Sequence, residues 1–270
     1  MTLIACSRMY NVTPEAHAAW TALFKSISKA SGVPLEIIDH PAPAPLEELW
    51  ARPDMGCVFM CGWPYSRSEI KPTLVAAPCP AGSRYGGLPV YFTDLITHRE
   101  SGFTKLEETF GGRVTWTVEG SHSGFNALRH HLLQFRTQDR PKLYAESIGP
   151  VVTPRRSLAS VIEGASDIAP MDSFALDLMR RHAPELVQNI RILASTAPAP
   201  IPPIVANSGI DPEILAHLQD VFVGAKGNPD LAPLLDILML EGFAKVTEAD
   251  YALPLQWERE AIAADYPYPA

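Results

Sequence analysis

A short, unbroken apolar run constrains the fold of this chain more than any other feature. Residues 55–61, MGCVFMC, carry no charged side chain. The run is too short to span a membrane, but its length suits a strand that is buried on both faces. Apolar stretches at Leu3–Cys6 and Leu35–Ile38 precede it, and a helical pattern over Pro14–Ser31 separates those two. A short helical pattern at Leu46–Trp50 lies between the second stretch and the run. The order βαβαβ predicts an α/β fold, with a mainly parallel sheet flanked by helices.

The same alternation restarts later in the chain. We interpret residues 62–90, which are rich in Gly, Pro, Tyr and Ser, as mostly irregular, and Leu88–Leu95 as a strand. Strand and helix patterns then alternate through residues 97–192. The proline-rich stretch APAPIPP, 197–203, is typical of a linker, and helical patterns alone follow it.

This order predicts two lobes. The first comprises residues 1–95 and 196–270, with the C-terminal helices packed on it, and the second, residues 96–195, is inserted between two hinge crossings. A lobe that is interrupted by another and joined to it by two segments can close over a ligand.

Composition excludes several classes of protein. The chain has 270 residues, of which 47% are hydrophobic and 19% charged, so a globular protein with an ample core is expected. A formal net charge of −8 argues against nucleic-acid binding. The N-terminal sequence has no charged region followed by an apolar one. We therefore expect a cytoplasmic protein if the sequence is complete as written and a periplasmic one if a leader was removed. We expect a monomer or weak dimer.

Cysteine usage points away from redox or metal chemistry. The chain has four cysteines, Cys6, Cys57, Cys61 and Cys79, and these are too few for a disulfide framework in a chain of this length. Cys57 and Cys61 lie in one apolar run and are expected to be buried side chains. No CxxC or HExxH motif is present, and no cofactor or metal is expected.

One stretch, VEGSHSGFNALRHHLLQF at 118–135, suggests a ligand site. Apolar residues Phe125, Leu128, Leu132 and Phe135 recur at helical spacing after a Gly/Ser turn. The first turn of a helix has unpaired N–H groups, and together with serine hydroxyls these can hold an anion. The same pattern also fits a helix that is merely capped by a serine after a strand.

Four stretches, taken in order, resemble one family. They are LEELWARPDMGCVFMCGWPYSR, SGFTKLEETFGGRVTWTVEGSHSG, LASVIEGASDIAPMDSFALDLM and ILASTAPAPIPPIVANSGIDPEI. Their order and spacing resemble the phosphate/phosphite/phosphonate ABC-transporter substrate-binding proteins (PhnD-like), which have the two-lobe type 2 periplasmic-binding-protein fold. The likeness covers about residues 1–250.

The resemblance implies a set of ligand-binding residues. Its Ser-x-Ser-Gly turn, which holds the oxyanion of the ligand at a helix N-terminus, corresponds here to Ser121, His122, Ser123 and Gly124. The remaining positions that carry over are Trp63, Tyr65, Tyr91, Asp172, Met9 and Tyr10. The aromatic residues among them would equally fit core packing, and Asp172, which could take a ligand amine, would equally fit a helix N-cap. If the His122 ring faces the anion, binding should tighten as the pH falls.

The function implied by the resemblance is capture of a small phosphonate- or phosphate-like oxyanion in the cleft between two lobes, without catalysis, for an ABC transporter and its permease. The alternative is an enzyme or sensor on the same fold, for example one related to the pyrimidine-forming enzymes of thiamine biosynthesis, because a fold does not determine function.

Overall fold

Strands and helices alternate along the chain in the computed structural model, which describes residues 2–270. The strands are β1 (Leu3–Cys6), β2 (Leu35–Ile37), β3 (Met55–Phe59), β4 (Thr73–Pro80), β5 (Val90–Tyr91), β6 (Thr93–His98), β7 (Arg113–Thr115), β8 (Glu146–Ile148), β9 (Ala169–Asp172), β10 (Ile190–Ser195), β11 (Ala199–Pro200), β12 (Ile204–Ala206) and β13 (Leu240–Ala244).

The helices are α1 (Pro14–Ser31), α2 (Leu46–Trp50), α3 (Gly62–Arg67), α4 (Ala127–Leu132), α5 (Pro154–Ile162), α6 (Ser173–His182), α7 (Pro184–Val187), α8 (Pro212–Val223), α9 (Ala232–Ile237) and α10 (Ala252–Ala263). Short 3-10 segments lie at Arg8–Tyr10, Leu106–Thr109, Leu133–Phe135, Gly224–Gly227 and Glu248–Tyr251, and a π-helical turn spans His122–Asn126.

Helix α1 shows how local sequence sets an element. Its first residue is a proline, and the Thr13 side chain accepts a hydrogen bond from the Ala16 N–H at 3.2 Å. Gly32 ends the helix with φ at 70°, a conformation that glycine adopts without strain. The predicted bounds of this helix are confirmed, because the capping residues and the apolar spacing are both local signals.

The chain forms two units, which are described separately. The first unit contains the residues up to Val90 together with Pro200–Tyr251. Its sheet has the order β13-β4-β12-β3-β1-β2, in which β1 runs parallel to β2 and β3. The other pairs, β3 with β12, β12 with β4 and β4 with β13, are antiparallel. The α/β class is confirmed, but the predicted mainly parallel sheet is wrong for this unit, since the sheet is mixed.

Two stretches of the first unit differ from prediction. Residues 62–90 contain α3 and the long strand β4, whereas their composition predicts mostly irregular structure. Pro78 and Pro80 lie in β4. Beyond Ala76 this strand pairs only with β13, and a strand that is unpaired on one side tolerates proline. The sequence pattern predicts no strands after residue 203, yet β12 and β13 both join the sheet.

The second unit contains Tyr91–Ala199 and Ala252–Ala270. Strand β6 pairs antiparallel with β10 on one side and with β9 on the other, while β7 runs parallel to β8. The prediction of a mainly parallel sheet is therefore also wrong here. The predicted strand Leu88–Leu95 is divided at Phe92, whose N–H donates to the Ser173 side chain at 2.9 Å.

The C-terminal segment lies elsewhere than predicted. We placed residues 196–270 with the first lobe, but Ala252–Ala270 belong to the second unit, where α10 packs against α4. The indole of Trp257 and the ring of Tyr266, both buried, anchor this segment. The amphipathic pattern of a helix shows that it has a buried face, but it does not show which neighbour covers that face.

Candidate functional site

The Ser/Gly turn ahead of α4 is fixed by its own hydrogen bonds. The Ser121 hydroxyl oxygen accepts from the Gly124 N–H at 2.9 Å, and the Ser121 carbonyl accepts from the Asn126 N–H at 3.1 Å. The Gly124 carbonyl accepts from the Thr117 N–H at 3.1 Å, which ties the turn to the preceding chain. The turn is π-helical, a rare geometry that is frequent at functional sites.

Glycine at position 124 is required by close packing. A β-carbon on Gly124 would lie 1.8 Å from the Thr117 Oγ1 and 2.9 Å from the Ser121 Oγ, far inside van der Waals contact. The turn can therefore take this shape only with glycine at 124.

Both serines of this turn carry a hydroxyl that can donate a hydrogen bond. Although the Ser121 oxygen accepts from Gly124, a hydroxyl also has a hydrogen of its own to donate. Ser123 is half-buried, and its carbonyl accepts from the Thr93 hydroxyl at 3.1 Å. The arrangement confirms that Ser121 caps the helix, and binding of an anion by Ser121 and Ser123 stays a prediction.

The sheet brings Asp172 to the same edge as the turn. Thr93, which bonds to Ser123, lies opposite Asp172 in the antiparallel β6–β9 ladder. The Asp172 carboxylate accepts from the Ala175 N–H at 2.9 Å and so caps α6. The capping interpretation is confirmed, and contact of Asp172 with a ligand amine stays a prediction.

His122 has its ring inside the second unit, packed against other rings. The imidazole is 1% exposed, stacks on the indole of Trp257 at a centroid distance of 5.2 Å and lies 6.2 Å from the ring of Tyr91. Its Nδ1 lies 3.2 Å from the Asn126 amide nitrogen. Tyr91 is itself 1% exposed, so this predicted ligand residue forms part of a ring cluster.

Burial keeps the His122 imidazole neutral. Loss of hydration, together with a smaller effect of the nearby His130, lowers the pKa of His122 from 6.5 to about 3. The His122 ring thus packs against other rings, and the expectation that binding tightens as the pH falls, which requires this ring to face the anion, stays a prediction. Desolvation of the ring outweighs the tendency of histidine to titrate near neutral pH.

A buried arginine supplies positive charge near the turn. Arg129 is 5% exposed, and its guanidinium donates to the Asn126 side-chain oxygen at 3.1 Å and to the Pro267 carbonyl at 3.0 Å. The same group lies 5.2 Å from the centroid of the Phe125 ring. A fixed cation in a region of low dielectric favours an anion nearby.

The predicted residues of the first unit have packing roles. Tyr65, on α3, is 1% exposed and meets the ring of Tyr251 edge-on at 5.2 Å. Burial raises the pKa of Tyr65 to about 12, and the Lys71 ammonium lies 5.5 Å from its ring centroid. Trp63 is 3% exposed, with the Arg67 guanidinium 5.1 Å from its ring. A ligand contact by Trp63 or Tyr65 stays a prediction.

Two predicted ligand residues, Met9 and Tyr10, follow β1 and differ in burial. Tyr10 is 1% exposed, and its ring meets Phe59 edge-on at 5.0 Å and stacks near Trp20 at 6.5 Å. The core-packing interpretation of Tyr10 is therefore confirmed. Met9 is half-buried in the 3-10 segment, and its role in ligand binding stays a prediction.

The cysteines have the chemistry of buried hydrophobic residues. All four are free and buried, and loss of hydration raises the pKa of Cys79 to about 11 and that of Cys57 further still. Within residues 2–270, no group of three His, Cys, Asp or Glu side chains is arranged to hold a metal ion.

Sequence reasoning missed four residues that shape the turn: Thr93, Asn126, Arg129 and Trp257. A signal was present for Arg129, because it falls four residues after Phe125, on the apolar face of the helix. Trp257 had no such signal, since its contact with His122 joins positions more than a hundred residues apart in the sequence.

Comparison with known proteins gives the class of this molecule. A family model described as the periplasmic substrate-binding protein of phosphonate ABC transporters matches residues 11–251. The chain therefore belongs to the phosphonate ABC transporter substrate-binding protein family. A search of curated proteins gave no match.

Solved structures support the same fold. A binding protein component of an ABC phosphonate transporter from Pseudomonas aeruginosa superposes with a TM-score of 0.79 and 15% identity, over 98% of this chain and 88% of that one. PhnD1 from Prochlorococcus marinus, solved with methylphosphonate, superposes with a TM-score of 0.77 and 14% identity, over 96% of this chain and 97% of that one. XAC2383 from Xanthomonas citri, bound to chloride, superposes with a TM-score of 0.68 and 18% identity, over 97% of this chain and 98% of that one. The predicted two-lobe periplasmic-binding-protein fold is confirmed.

Among residues 2–270, no helix is both long and apolar enough to cross a bilayer.

Proposed function

We propose that this protein binds a small phosphonate or a related tetrahedral oxyanion, and that the turn Ser121–Gly124 holds the anion. The observation that carries the proposal is the Ser-x-Ser-Gly turn at the start of a helix. Its own hydrogen bonds fix its shape, and it carries the hydroxyls of Ser121 and Ser123. A phosphonate oxygen accepts hydrogen bonds from such donors, and the helix N-terminus favours its negative charge.

The surrounding residues support an anion over a cation. Arg129 places a buried positive charge one helical turn after Phe125, and His122 is neutral. Hydrogen bonds to a charged group contribute about 1.5–3 kcal/mol each, so the two serines together could account for a large share of the affinity.

The role that fits this site is capture and delivery. The protein would pass its ligand to an ABC permease from the periplasmic side of the membrane, as the family does, and would carry out no reaction on it. The cysteines are buried in the first unit, and the lowered pKa of the buried His122 makes it a weak base.

A ligand screen by thermal shift tests the proposal. Methylphosphonate, 2-aminoethylphosphonate, phosphate, phosphite and sulfate are compared, with taurine as a zwitterionic sulfonate. A ligand present at a hundred times its Kd should stabilise the protein by about 2.7 kcal/mol. If none of these anions shifts the melting temperature or gives heat in titration calorimetry, the proposed function is wrong.

Serine variants locate the anion. Ser123→Ala removes one hydroxyl and should weaken methylphosphonate binding about tenfold, since a tenfold change in Kd corresponds to about 1.4 kcal/mol. Ser121→Ala should weaken binding similarly and also destabilise the fold by about 1 kcal/mol through loss of its cap.

Thr153→Ala is the matched control for cap loss. Thr153 caps α5 in the same unit by accepting from the Arg156 N–H at 3.2 Å. This variant should lose stability and keep full affinity. If Ser123→Ala also keeps full affinity, the turn serves only as a capped helix start.

A further inference from the structure

We infer that the C-terminal segment, residues 252–270, positions the ligand-binding turn, with Trp257 acting through His122. This inference rests on the proposed function, because it concerns the same turn. It assigns a binding role to a segment that the sequence pattern alone presents as a terminal helix and its tail.

Trp257 lies between two histidine rings. Its indole stacks on His122 at 5.2 Å with the ring planes 20° apart, and on His130 at 4.7 Å with the planes 3° apart. Trp257 is 5% exposed, so both faces of the indole are covered. Stacked rings at such distances prefer a defined offset geometry, so the indole restricts where the His122 ring can lie.

His122 is the residue between the two serines. Because its side chain is clamped against Trp257, the backbone at 122 has little freedom, and the hydroxyls of Ser121 and Ser123 keep their directions. A site that is ordered before binding loses less entropy when the ligand arrives.

Polar contacts join the same two pieces of chain. The Asn126 side-chain amide donates to the Pro254 carbonyl at 2.9 Å, and it also lies 3.2 Å from the His122 Nδ1. The His130 Nε2 lies 2.6 Å from the Glu260 carboxylate. Asn126, at the end of the π-helical turn, and His130, in α4, therefore both contact helix α10.

The tail beyond α10 continues these contacts. The Tyr268 hydroxyl donates to the Glu119 carboxylate at 2.8 Å, just before the turn, and its ring lies 5.8 Å from Phe125. The Pro267 carbonyl accepts from the Arg129 guanidinium at 3.0 Å. The segment thus contacts residues before, within and after the turn.

Such contacts would couple ligand affinity to the docking of the segment. By thermodynamic linkage, a segment that orders the turn for the ligand must itself be stabilised when the ligand binds. A segment with a purely structural role would change the stability of the fold without changing the affinity of the folded protein.

Two substitutions of Trp257 separate these cases. Trp257→Leu keeps an apolar side chain but removes the stack, and methylphosphonate affinity, measured by calorimetry well below the melting temperature, should fall about tenfold. Trp257→Phe restores an aromatic face and should recover most of the affinity. Equal affinity in the wild type and Trp257→Leu would overturn the inference.

Trp50→Leu serves as a matched control. Trp50 is a half-buried tryptophan of the first unit, whose indole N–H donates to the Phe59 carbonyl at 2.9 Å. Its removal should cost stability and leave the affinity unchanged. If Trp50→Leu weakened binding as much as Trp257→Leu does, the loss would be a general effect of destabilisation and the inference would fail.

A double-mutant cycle tests whether Trp257 acts through His122. In a His122→Leu background the stack is already lost, so Trp257→Leu should weaken binding by less than about twofold more. Full additivity of the two effects would show that Trp257 does not act through His122.

Hydrogen exchange without ligand separates failure of the inference from failure of the proposed function. Amides of residues 121–126 should exchange faster in Trp257→Leu than in the wild type, even if no tested anion binds. When methylphosphonate does bind the wild type, exchange should slow in residues 252–268 as well as in the turn. Protection confined to the turn would contradict the coupling.

Discussion

The α-carbon of Gly124 packs directly against the side chain of Thr117, so closely that a β-carbon at 124 would lie 1.8 Å from the Thr117 Oγ1. This contact joins the chain that leaves β7 to the first turn of the helix that carries Ser121 and Ser123. The geometry of the candidate site thus depends on a residue that has no side chain.

Gly124→Ala should therefore distort the turn. Relief of the overlap requires a shift of the backbone, and overpacking of this kind costs about 1–3 kcal/mol. The free energy of unfolding should fall by that amount and methylphosphonate affinity should fall at least about tenfold. Urea unfolding and calorimetry measure the two effects.

Gly224→Ala provides the comparison for that variant. Gly224 has helical φ and ψ, and a β-carbon there would meet nothing within 4 Å. It should leave affinity unchanged and stabilise slightly, by up to about 1 kcal/mol. If Gly124→Ala behaves like Gly224→Ala, the packing of Gly124 does not shape the site.

Thr115→Val should be neutral or stabilising. The Thr115 residue is 0% exposed, and its hydroxyl has no hydrogen-bond partner within residues 2–270. A buried hydroxyl without a partner costs about 1–3 kcal/mol, and valine has the same shape without that cost. The melting temperature, followed by circular dichroism, should rise by a few degrees. A clear fall would mean that the hydroxyl has a partner in solution.

Acid stability should depend on His122. The pKa of His122 is about 3 in the folded chain and 6.5 as a free side chain. Between about pH 6.5 and pH 3, His122 is therefore protonated in the unfolded chain and neutral in the folded chain. The free energy of unfolding should thus fall as the pH drops from about 6.5 towards 3, by about 1.4 kcal/mol per pH unit at most from this residue.

His122→Phe isolates that contribution, because phenylalanine can stack on Trp257 but cannot titrate. Above pH 7 the difference in stability between variant and wild type should be constant. Below pH 6.5 the wild type should lose stability more steeply than the variant. Parallel curves throughout would mean that His122 is protonated in the folded protein.

Anion affinity should not depend on the charge of His122. Since the ring is neutral from pH 6 to pH 8, the ratio of methylphosphonate Kd values between His122→Phe and the wild type should be the same at both pH values. The ratio cancels the titration of the ligand itself. Calorimetry at pH 6 and pH 8 measures it, and a ratio that grew at pH 6 would show that a protonated His122 meets the anion.

The two roles considered for Asp172 can be separated by ligand choice. Asp172→Asn keeps an oxygen to accept from the Ala175 N–H, so the cap on α6 and the stability should persist. If the carboxylate takes a ligand amine, affinity for 2-aminoethylphosphonate should fall about tenfold or more while methylphosphonate is unaffected. Equal effects on both ligands would contradict contact with an amine.

Local signals in the sequence determined the elements that need no distant partner. The limits of α1 follow from Thr13, Pro14 and Gly32, and the apolar repeat after Ser121 marks the helical stretch at 122–135. The Ser-x-Ser-Gly turn could be found in the sequence because the residues that form it are consecutive. In each case the deciding interactions lie within a few residues.

Tertiary structure decided the rest, because it depends on contacts between distant positions. No local pattern in the sequence predicted strands β12 and β13, which are defined by their pairing with β3 and β4. The direction of the His122 ring, and with it its charge, depends on Trp257 from the far end of the chain. A periodic pattern shows that a face is buried, but which neighbour buries it is settled only when the whole chain packs.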